Sequence, residues 1–276
     1  MAEHPREQAE PSDFAPAYAM WRGSPLGRVT EEIERTLILE MLGDVHGKRI
    51  LDIGCGDGEL AVALSKRGAN VCGVDLSAKA IEAARERARE KGADIRFEVV
   101  DAQNLPYSSG AFDAVIAITV LCFVEKPDAI LNEAVRTLRP GGRLVIGELG
   151  RWNLWVAKRR IRGWMGNPLW RKARFRTARE FRALLEGAGF VVETVRGAVY
   201  YPPWGVAARL FAPFDSWLGR STTLGAAFIA VAATKPGSVE SASCSNYRAS
   251  FLGYSQSVET GTAQSRSPKS TGLCPV

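Results

Sequence analysis

The sequence is poor in the residues that build metal sites and disulfide frameworks. It has five cysteines and two histidines in 276 residues, with no Cys-x-x-Cys pair and no mixed His/Cys cluster. The cysteines are odd in number and widely spaced, at Cys55, Cys72, Cys122, Cys244 and Cys274. We therefore expect neither a metal site nor a disulfide framework. Few and unpaired cysteines are typical of proteins in a reducing compartment, which predicts a cytoplasmic protein.

Long apolar runs are also missing. No stretch reaches the roughly 18 consecutive apolar residues of a transmembrane helix. The polar beginning of the chain lacks the apolar core of a secretory signal. With 46% hydrophobic and 24% charged residues, the composition is that of a globular protein and excludes collagen, a coiled coil and disorder throughout.

Acidic residues are nearly absent from one stretch. The chain carries a net charge of +6, from 36 Lys and Arg against 30 Asp and Glu. Residues 151–182 hold eleven of these basic residues and a single acid, Glu180. This stretch alone carries +10, so the rest of the chain is mildly acidic. Such a distribution differs from that of a uniformly basic nucleic-acid binder.

Short apolar segments alternate with helical patterns through the middle of the chain. Helical spacing that begins at Thr30 predicts a first helix, before the first strand. Seven apolar segments predict strands, at 49–53, 70–74, 95–100, 112–118, 143–148, 190–195 and 226–233. The last two lack a helical pattern between them and are expected to be antiparallel. The sequence therefore predicts an α/β fold with a doubly wound, Rossmann-like sheet of seven mostly parallel strands and an antiparallel last strand.

The two ends of the chain differ from its middle. Residues 1–16 are polar and are expected to be a flexible N-terminus, followed by one domain over 17–236. Residues 237–276 contain ten serines and no apolar period, which predicts a disordered tail.

A glycine-rich turn follows the first predicted strand. Gly54 and Gly56, in Leu-Asp-Ile-Gly-Cys-Gly-Asp-Gly at 51–58, let the backbone turn sharply and a ligand approach it closely. The spacing is GxGxG, and Glu59 stands where the dinucleotide fingerprint needs a small residue. An NAD-dependent oxidoreductase is disfavoured for this reason and because the chain has no Tyr-x-x-x-Lys pair.

Carboxylates stand at the ends of the next two strands. Asp75 lies about twenty residues beyond the glycine turn, where a carboxylate can accept both hydroxyls of a ribose. Asp101 ends the third strand, within reach of an adenine amino group. Because the carboxyl ends of parallel strands meet at one edge of a sheet, both acids and the glycine turn are expected to form one ligand site.

With these motifs in order, and a further tight turn at 139–142, the sequence resembles the class I S-adenosylmethionine-dependent methyltransferases. The resemblance spans residues 18–235 and is to the type 11 group, which is related to ubiquinone- and menaquinone-biosynthesis methyltransferases. It implies S-adenosylmethionine as the cofactor. The cofactor contacts that it implies are, for the methionine part, Asp52, Gly54, Cys55, Gly56 and Thr119, and, for the ribose and adenine, Asp75, Leu76, Asp101 and Ala102. It also implies an N-terminal lid that contains Tyr18, Trp21 and Arg28.

The catalytic residues are not identified by the resemblance. Since the methyl group of the cofactor is already activated, we expect the protein mainly to align the acceptor and exclude water. A base is needed only if the acceptor loses a proton as it attacks. His4 and His46 lie away from the expected site, which disfavours a histidine base. Glu148 and Tyr200, at the ligand edge of the sheet, are the remaining candidates.

Two inserts at the same edge are expected to be helical lids that shape the acceptor site. Residues 150–176 contain four tryptophans among basic residues, in part as an amphipathic helix, and residues 200–223 combine aromatics with Pro-fixed turns. Three hypotheses stay open: a lid over a small apolar or aromatic acceptor, a lid that also contacts an anionic membrane, and an RNA clamp. A non-catalytic cofactor-binding scaffold is a further alternative.

Overall fold

The computed structural model describes residues 20–237. The flexible N-terminus predicted at 1–16, the lid residue Tyr18 and nearly all of the tail predicted to be disordered lie outside the described residues.

The first long helix, α1 (Pro25–Leu42), begins five residues before the position that its apolar spacing predicted. Ser24 caps it by accepting a hydrogen bond from the Gly27 N–H at 3.0 Å, and Pro25 fits the first turn because its missing N–H is not needed there. Thr30, where the predicted helix begins, is instead a buried residue inside α1. Its hydroxyl is 2.9 Å from the hydroxyl of Tyr201 and so joins α1 to the second insert.

The strands and helices then alternate as the sequence predicts. The strands are β1 (Arg49–Ile53), β2 (Asn70–Asp75), β3 (Arg96–Val99), β4 (Phe112–Ile118), β5 (Leu138–Leu149), β6 (Val191–Ala198) and β7 (Phe228–Thr234). The helices that follow α1 are α2 (Glu59–Ser65), α3 (Ala78–Glu90), α4 (Pro127–Thr137), α5 (Leu154–Trp164), α6 (Pro168–Lys172), α7 (Ala178–Gly187) and α8 (Gly205–Ser221).

The strands of residues 20–237 form one seven-stranded sheet in the order β3-β2-β1-β4-β5-β7-β6. Strands β1 to β5 pair in parallel, and β7 is antiparallel to both of its neighbours. The predicted fold class, including the antiparallel last strand, is confirmed. The strand order reverses between β1 and β4, and a sheet of this kind binds ligands in the crevice at that point, beyond the carboxyl ends of the strands.

Helices cover both faces of the sheet. Ile50 and Leu51 are adjacent in β1 and fully buried, yet they belong to different hydrophobic clusters because neighbouring side chains of a strand point to opposite faces. One cluster packs against α1, α2 and α3, and the other against α4 and α7. None of the helices over residues 20–237 has the length and apolarity that a membrane span requires.

The second insert, expected to be a helical lid with Pro-fixed turns, contains one long helix. Helix α8 spans 17 residues and continues through Pro213. Tertiary contacts hold it, because the buried Asp215 accepts hydrogen bonds at 2.9 Å from the N–H groups of Val199 and Tyr200. Gly219 packs so closely on the end of β6 that a Cβ there would lie 2.1 Å from a backbone oxygen. These contacts join α8 to residues at the end of β6 that are distant in sequence, so the spacing of residues within the insert did not reveal them.

Candidate active site

The loop after β1 turns through glycines with positive φ. Gly54, Gly56 and Gly58 have φ values of +69°, +56° and +74°, which residues with a Cβ rarely adopt. A Cβ on Gly54 would lie 2.3 Å from Cγ2 of Val120, whereas a Cβ on Gly56 would meet no described atom within 4 Å. The loop is therefore packed tightly on one side and leaves open space at Gly56, where a ligand can approach the backbone.

Asp75 fixes this loop to the end of β2. Its carboxylate accepts hydrogen bonds from the N–H of Gly56 at 3.0 Å and from the N–H of Ser77 at 2.9 Å. Each bond uses a different carboxylate oxygen, and each oxygen keeps a further lone pair. An oriented carboxylate with acceptor capacity left on both oxygens fits the two hydroxyls of a ribose.

Asp52 lies beneath the same loop and is 3% exposed. No residue of the described part of the chain donates a hydrogen bond to its carboxyl group, which is unusual for a buried polar group. Burial, and then the charge of Asp75, raise the pKa of Asp52 to about 8. A buried carboxyl without a protein partner fits the ammonium group of the cofactor's methionine part.

The other residues implied for the adenine lie at the same edge of the sheet. Leu76 follows β2 with 61% of its surface exposed, so its apolar side chain is free to cover a flat ring. Asp101 follows β3, is exposed and accepts a hydrogen bond from the Gln103 N–H at 2.9 Å. Ala102 beside it is half-buried. The predicted acids and the glycine loop are thus brought together at the carboxyl ends of β1, β2 and β3.

Cys55 and Arg28 contribute differently. The Cys55 side chain is buried, and burial raises the pKa of its thiol, so it is no nucleophile at neutral pH. Its backbone N–H donates to the Val74 carbonyl at 3.0 Å. Arg28 is exposed on α1, where its guanidinium donates to the carbonyl of Gly23.

Arg22 is a site residue that the sequence did not reveal. Its largely buried guanidinium donates to both carboxylate oxygens of Asp57, at 2.7 and 2.8 Å, and it also pairs with Glu31 and Glu59. Burial opposes ionisation of Asp57, yet Arg22 and Arg87 lower its pKa. Because Asp57 belongs to the glycine-rich motif, Arg22 ties the N-terminal segment to the loop. The only sequence signal for this contact was the position of Asp57 inside the motif.

The turn after β4 lies against Gly54 and is held in place by Glu148, which lies beneath it. Thr119 has a φ of +57°, a strained value for a β-branched residue. Glu148 is fully buried and accepts hydrogen bonds from the N–H groups of Val120, Leu121 and Cys122 at 3.0, 2.5 and 3.2 Å. Burial raises the pKa of Glu148 to about 7. The structure places this candidate base under the turn, with its oxygens directed at the backbone.

Tyr200, the other candidate base, lies within the second insert. Its hydroxyl donates to the carbonyl of Thr222. Burial, and then the charge of Asp215, raise the pKa of the phenol to about 12. The group is therefore protonated at neutral pH and engaged inside the insert.

Aromatic residues of three segments, the N-terminal segment, α5 and the second insert, pack against one another. Trp155 of α5 contacts Trp21 and Tyr201 edge-on, with ring centroids 6.2 and 6.4 Å apart, and its indole N–H donates to the Tyr201 carbonyl at 2.8 Å. Trp21 of the predicted lid is thereby packed between α1 and the first insert.

A second aromatic group joins the first insert to the turn after β4. Trp170 lies between Phe123 of that turn and Phe175, with centroids 6.1 and 6.5 Å away. The guanidinium of Arg159 stands 5.0 Å from the Trp170 ring centroid and 5.6 Å from that of Trp155, so it connects both aromatic groups. We call these two groups together with Arg159 the aromatic cluster.

Glu34 of α1 faces the same region and was also missed. It has no hydrogen-bond partner within residues 20–237. Burial raises its pKa to about 8, although Arg159 favours the charged form. Its spacing on α1 gives no sign of this environment, which arises only when the inserts fold over the helix.

Comparisons with known proteins agree with this geometry. A family model described as a methyltransferase domain matches residues 51–146. An uncharacterized protein of Mycobacterium tuberculosis is 36% identical over 219 residues, which cover 79% of this chain and 71% of that protein. The ubiquinone biosynthesis O-methyltransferase of Idiomarina loihiensis is 32% identical over 57% of this chain and 68% of its own length. A solved S-adenosylmethionine-dependent methyltransferase from Thermotoga maritima, 24% identical, superposes with a TM-score of 0.60 over 81% of this chain and 97% of its own.

Proposed function

The chain belongs to the class I S-adenosylmethionine-dependent methyltransferases of the type 11 group, and we propose that it methylates a small apolar or aromatic molecule held beneath the two inserts. The observation that carries this proposal is the aromatic cluster, which includes Phe123 of the turn after β4; Val120 of the same turn packs against Gly54 of the glycine loop. Aromatic walls favour a flat or apolar acceptor over a sugar or a polar peptide.

The first insert is fixed to the turn that faces the acceptor. The Arg174 N–H donates to the Cys122 carbonyl at 2.8 Å, and the Arg176 guanidinium donates to the Leu121 carbonyl at 3.1 Å. The insert therefore cannot shift without moving that turn. In this proposal, these bonds set the distance between the aromatic cluster and the cofactor.

The roles of the chain's own residues follow from their positions. When bound, S-adenosylmethionine supplies a sulfonium methyl group that is already activated for transfer. Asp75 and Asp52 would hold the ribose and the ammonium group, and Arg22 keeps the glycine loop in place. The inserts orient the acceptor and exclude water, which is the main requirement of an in-line displacement. Glu148 positions the turn after β4 through its three backbone bonds.

Relatives supply independent support for this acceptor class. The named relative from Idiomarina loihiensis acts in ubiquinone biosynthesis, and another, 41% identical over 105 residues, is a 27-O-demethylrifamycin SV methyltransferase of Amycolatopsis mediterranei. Both names point to small-molecule acceptors of those proteins, and not to nucleic acid.

The proposal is tested by the fate of a labelled methyl group. The full-length protein is incubated with methyl-labelled S-adenosylmethionine and a bacterial extract, and the extract is then separated into organic, aqueous, protein and nucleic-acid fractions. We expect label in the organic fraction. Trp170→Ala should lower the transfer about tenfold or more, because a large contact is lost at the acceptor. Affinity for S-adenosylhomocysteine should change little.

Trp152→Ala provides the matched control, because Trp152 is an exposed tryptophan of the same insert that lies outside the aromatic cluster. It should leave the transfer unchanged. Label confined to nucleic acid would replace the proposal with the RNA hypothesis. Tight S-adenosylhomocysteine binding with no label in any fraction would favour a non-catalytic scaffold.

We also propose that the protein contacts a membrane peripherally, which would bring it to an apolar acceptor dissolved there. The strongly basic first insert and its tryptophans support this proposal.

A further inference from the structure

The two inserts expose large apolar side chains on their outer faces. Those of α5 and α8 have between 53% and 90% of their surface exposed, and Trp164 has the largest exposure. On α8, Val206, Leu210, Phe214 and Trp217 recur at helical spacing and form one continuous face. On α5, Leu154, Ile161 and Trp164 point to solvent, while Trp155 and Val156 are buried.

Both helices project from the same end of the sheet. Strands β5 and β6 run in the same direction, because each is antiparallel to β7. Their last residues, Leu149 and Ala198, both pair with Phe228. Helix α5 follows β5 and α8 follows β6, so the two exposed apolar faces lie at one end of the described domain.

The two inserts are rich in cationic residues and nearly free of acidic ones. Residues 151–176 contain nine Lys and Arg and no acid. The only acid of α8, Asp215, is buried. Eight exposed basic residues of the two inserts form no ion pair within residues 20–237: Lys158, Arg160, Arg162, Arg171, Lys172, Arg174, Arg209 and Arg220. The surface is therefore apolar and positively charged together.

We propose that the outer faces of α5 and α8 form a docking surface for an anionic lipid bilayer. The apolar side chains enter the boundary between headgroups and acyl chains, and the basic residues contact anionic headgroups. This inference rests on the proposed function, because an apolar acceptor would then pass from the bilayer to the space beneath the inserts. Surfaces of this extent on a protein mark an interaction site.

A bilayer fits this surface better than a second copy of the chain. Two identical copies that met through these helices would bring their unpaired basic residues together, and like charges in contact oppose association. An anionic bilayer neutralises the same residues.

The docking surface is tested with vesicles, in the absence of cofactor and acceptor. The full chain is sedimented with vesicles of equal parts phosphatidylglycerol and phosphatidylcholine, or of phosphatidylcholine alone. We expect binding to the anionic vesicles to be at least tenfold stronger and to fall as salt is raised from 0.05 to 0.5 M, because about five-fold in affinity is gained for each basic residue near the surface. Trp164→Ser and Trp217→Ser should each weaken binding about fivefold or more.

Val191→Ser is the control, because Val191 is also an exposed apolar residue but begins β6, at the other end of that strand. It should bind the vesicles as the unchanged protein does. S-adenosylhomocysteine affinity, measured for every variant, shows that each one is folded. Absence of binding to anionic vesicles, or binding that the two tryptophan variants leave unchanged, overturns the proposal. So does a dimer in solution that these variants dissociate, since a second copy would then cover the surface.

Failure of this inference is distinguishable from failure of the proposed function. A protein that ignores vesicles but methylates a detergent-solubilised apolar molecule would contradict the docking surface alone. A protein that binds vesicles but transfers no label to the organic fraction would contradict the proposed function alone.

Discussion

Asp52 makes cofactor binding depend on pH in a way that can be calculated. In the ligand-free protein its pKa is about 8, because it is buried and close to Asp75. At pH 7 about nine tenths of the molecules therefore carry a protonated Asp52. A cofactor ammonium group beside it favours the carboxylate, so binding at pH 7 should release about 0.9 proton. The ionised fraction of Asp52 in the free protein rises about ninefold from pH 6 to pH 7. The affinity for the cofactor should rise by the same factor.

Calorimetry with S-adenosylhomocysteine measures both quantities. The binding enthalpy is recorded at pH 7 in buffers of different ionisation enthalpy, and the slope gives the number of protons released. Asp52→Asn cannot ionise and should bind more weakly, with a slope near zero. Asp113→Asn is the control, since Asp113 lies at the opposite edge of the sheet, in contact with Arg49 and Arg139. A slope near zero for the unchanged protein, with equal affinity at pH 6 and pH 7, would refute the assignment of Asp52.

Two further predictions concern stability. Gly54→Ala and Gly43→Ala both place a Cβ at a φ near +70°, but only the first meets Val120, at 2.3 Å. Urea unfolding should show a loss of about 1 kcal/mol for Gly43→Ala, from backbone strain, and about 1–3 kcal/mol more for Gly54→Ala, from overpacking; equal losses would contradict the tight packing of the loop. Glu34 and Asp52 have pKa values raised by burial to about 8, so the folded state binds more protons than the unfolded state between about pH 4 and pH 8, and stability should fall as pH rises through that window. The melting temperature should be lower at pH 8 than at pH 6, and Glu34→Gln or Asp52→Asn should reduce the difference; a melting temperature that rises with pH would be inconsistent with two carboxyls that are neutral in the folded protein at pH 6.

The sheet was predictable from the sequence because its signals are local. Each central strand is a short apolar run, and the glycine turn, Asp75 and Asp101 stand where such runs end. Parallel strands that are buried on both faces consist of continuous apolar residues. A short apolar run therefore indicates such a strand directly. This is why the ligand edge and its carboxylates were found without a structure.

The surroundings of the site were less predictable because they depend on distant contacts. Arg22 meets Asp57 across 35 positions, and the hydroxyl of Thr30 meets that of Tyr201 across 171. A helix was expected in the second insert, but the 17-residue length of α8 was not, because its apolar residues face outward and Pro213 lies within it. An apolar period indicates which residues share a face but not whether that face is buried. On α5, apolar residues that share a face are exposed.

The most direct test of the account is the amount of methyl label that the full chain transfers to organic-extractable molecules, compared with Asp75→Ala. Asp75 accepts two backbone hydrogen bonds at the cofactor edge, and folding of the variant is checked by its melting temperature. We predict label in the organic fraction with the unchanged protein and at least a hundredfold less with a folded Asp75→Ala. The variant would lose the two charge-assisted hydrogen bonds from Asp75 to the ribose hydroxyls, which costs about 3 kcal/mol or more. Equal labelling by both proteins, or label in the aqueous or nucleic-acid fraction alone, would contradict it.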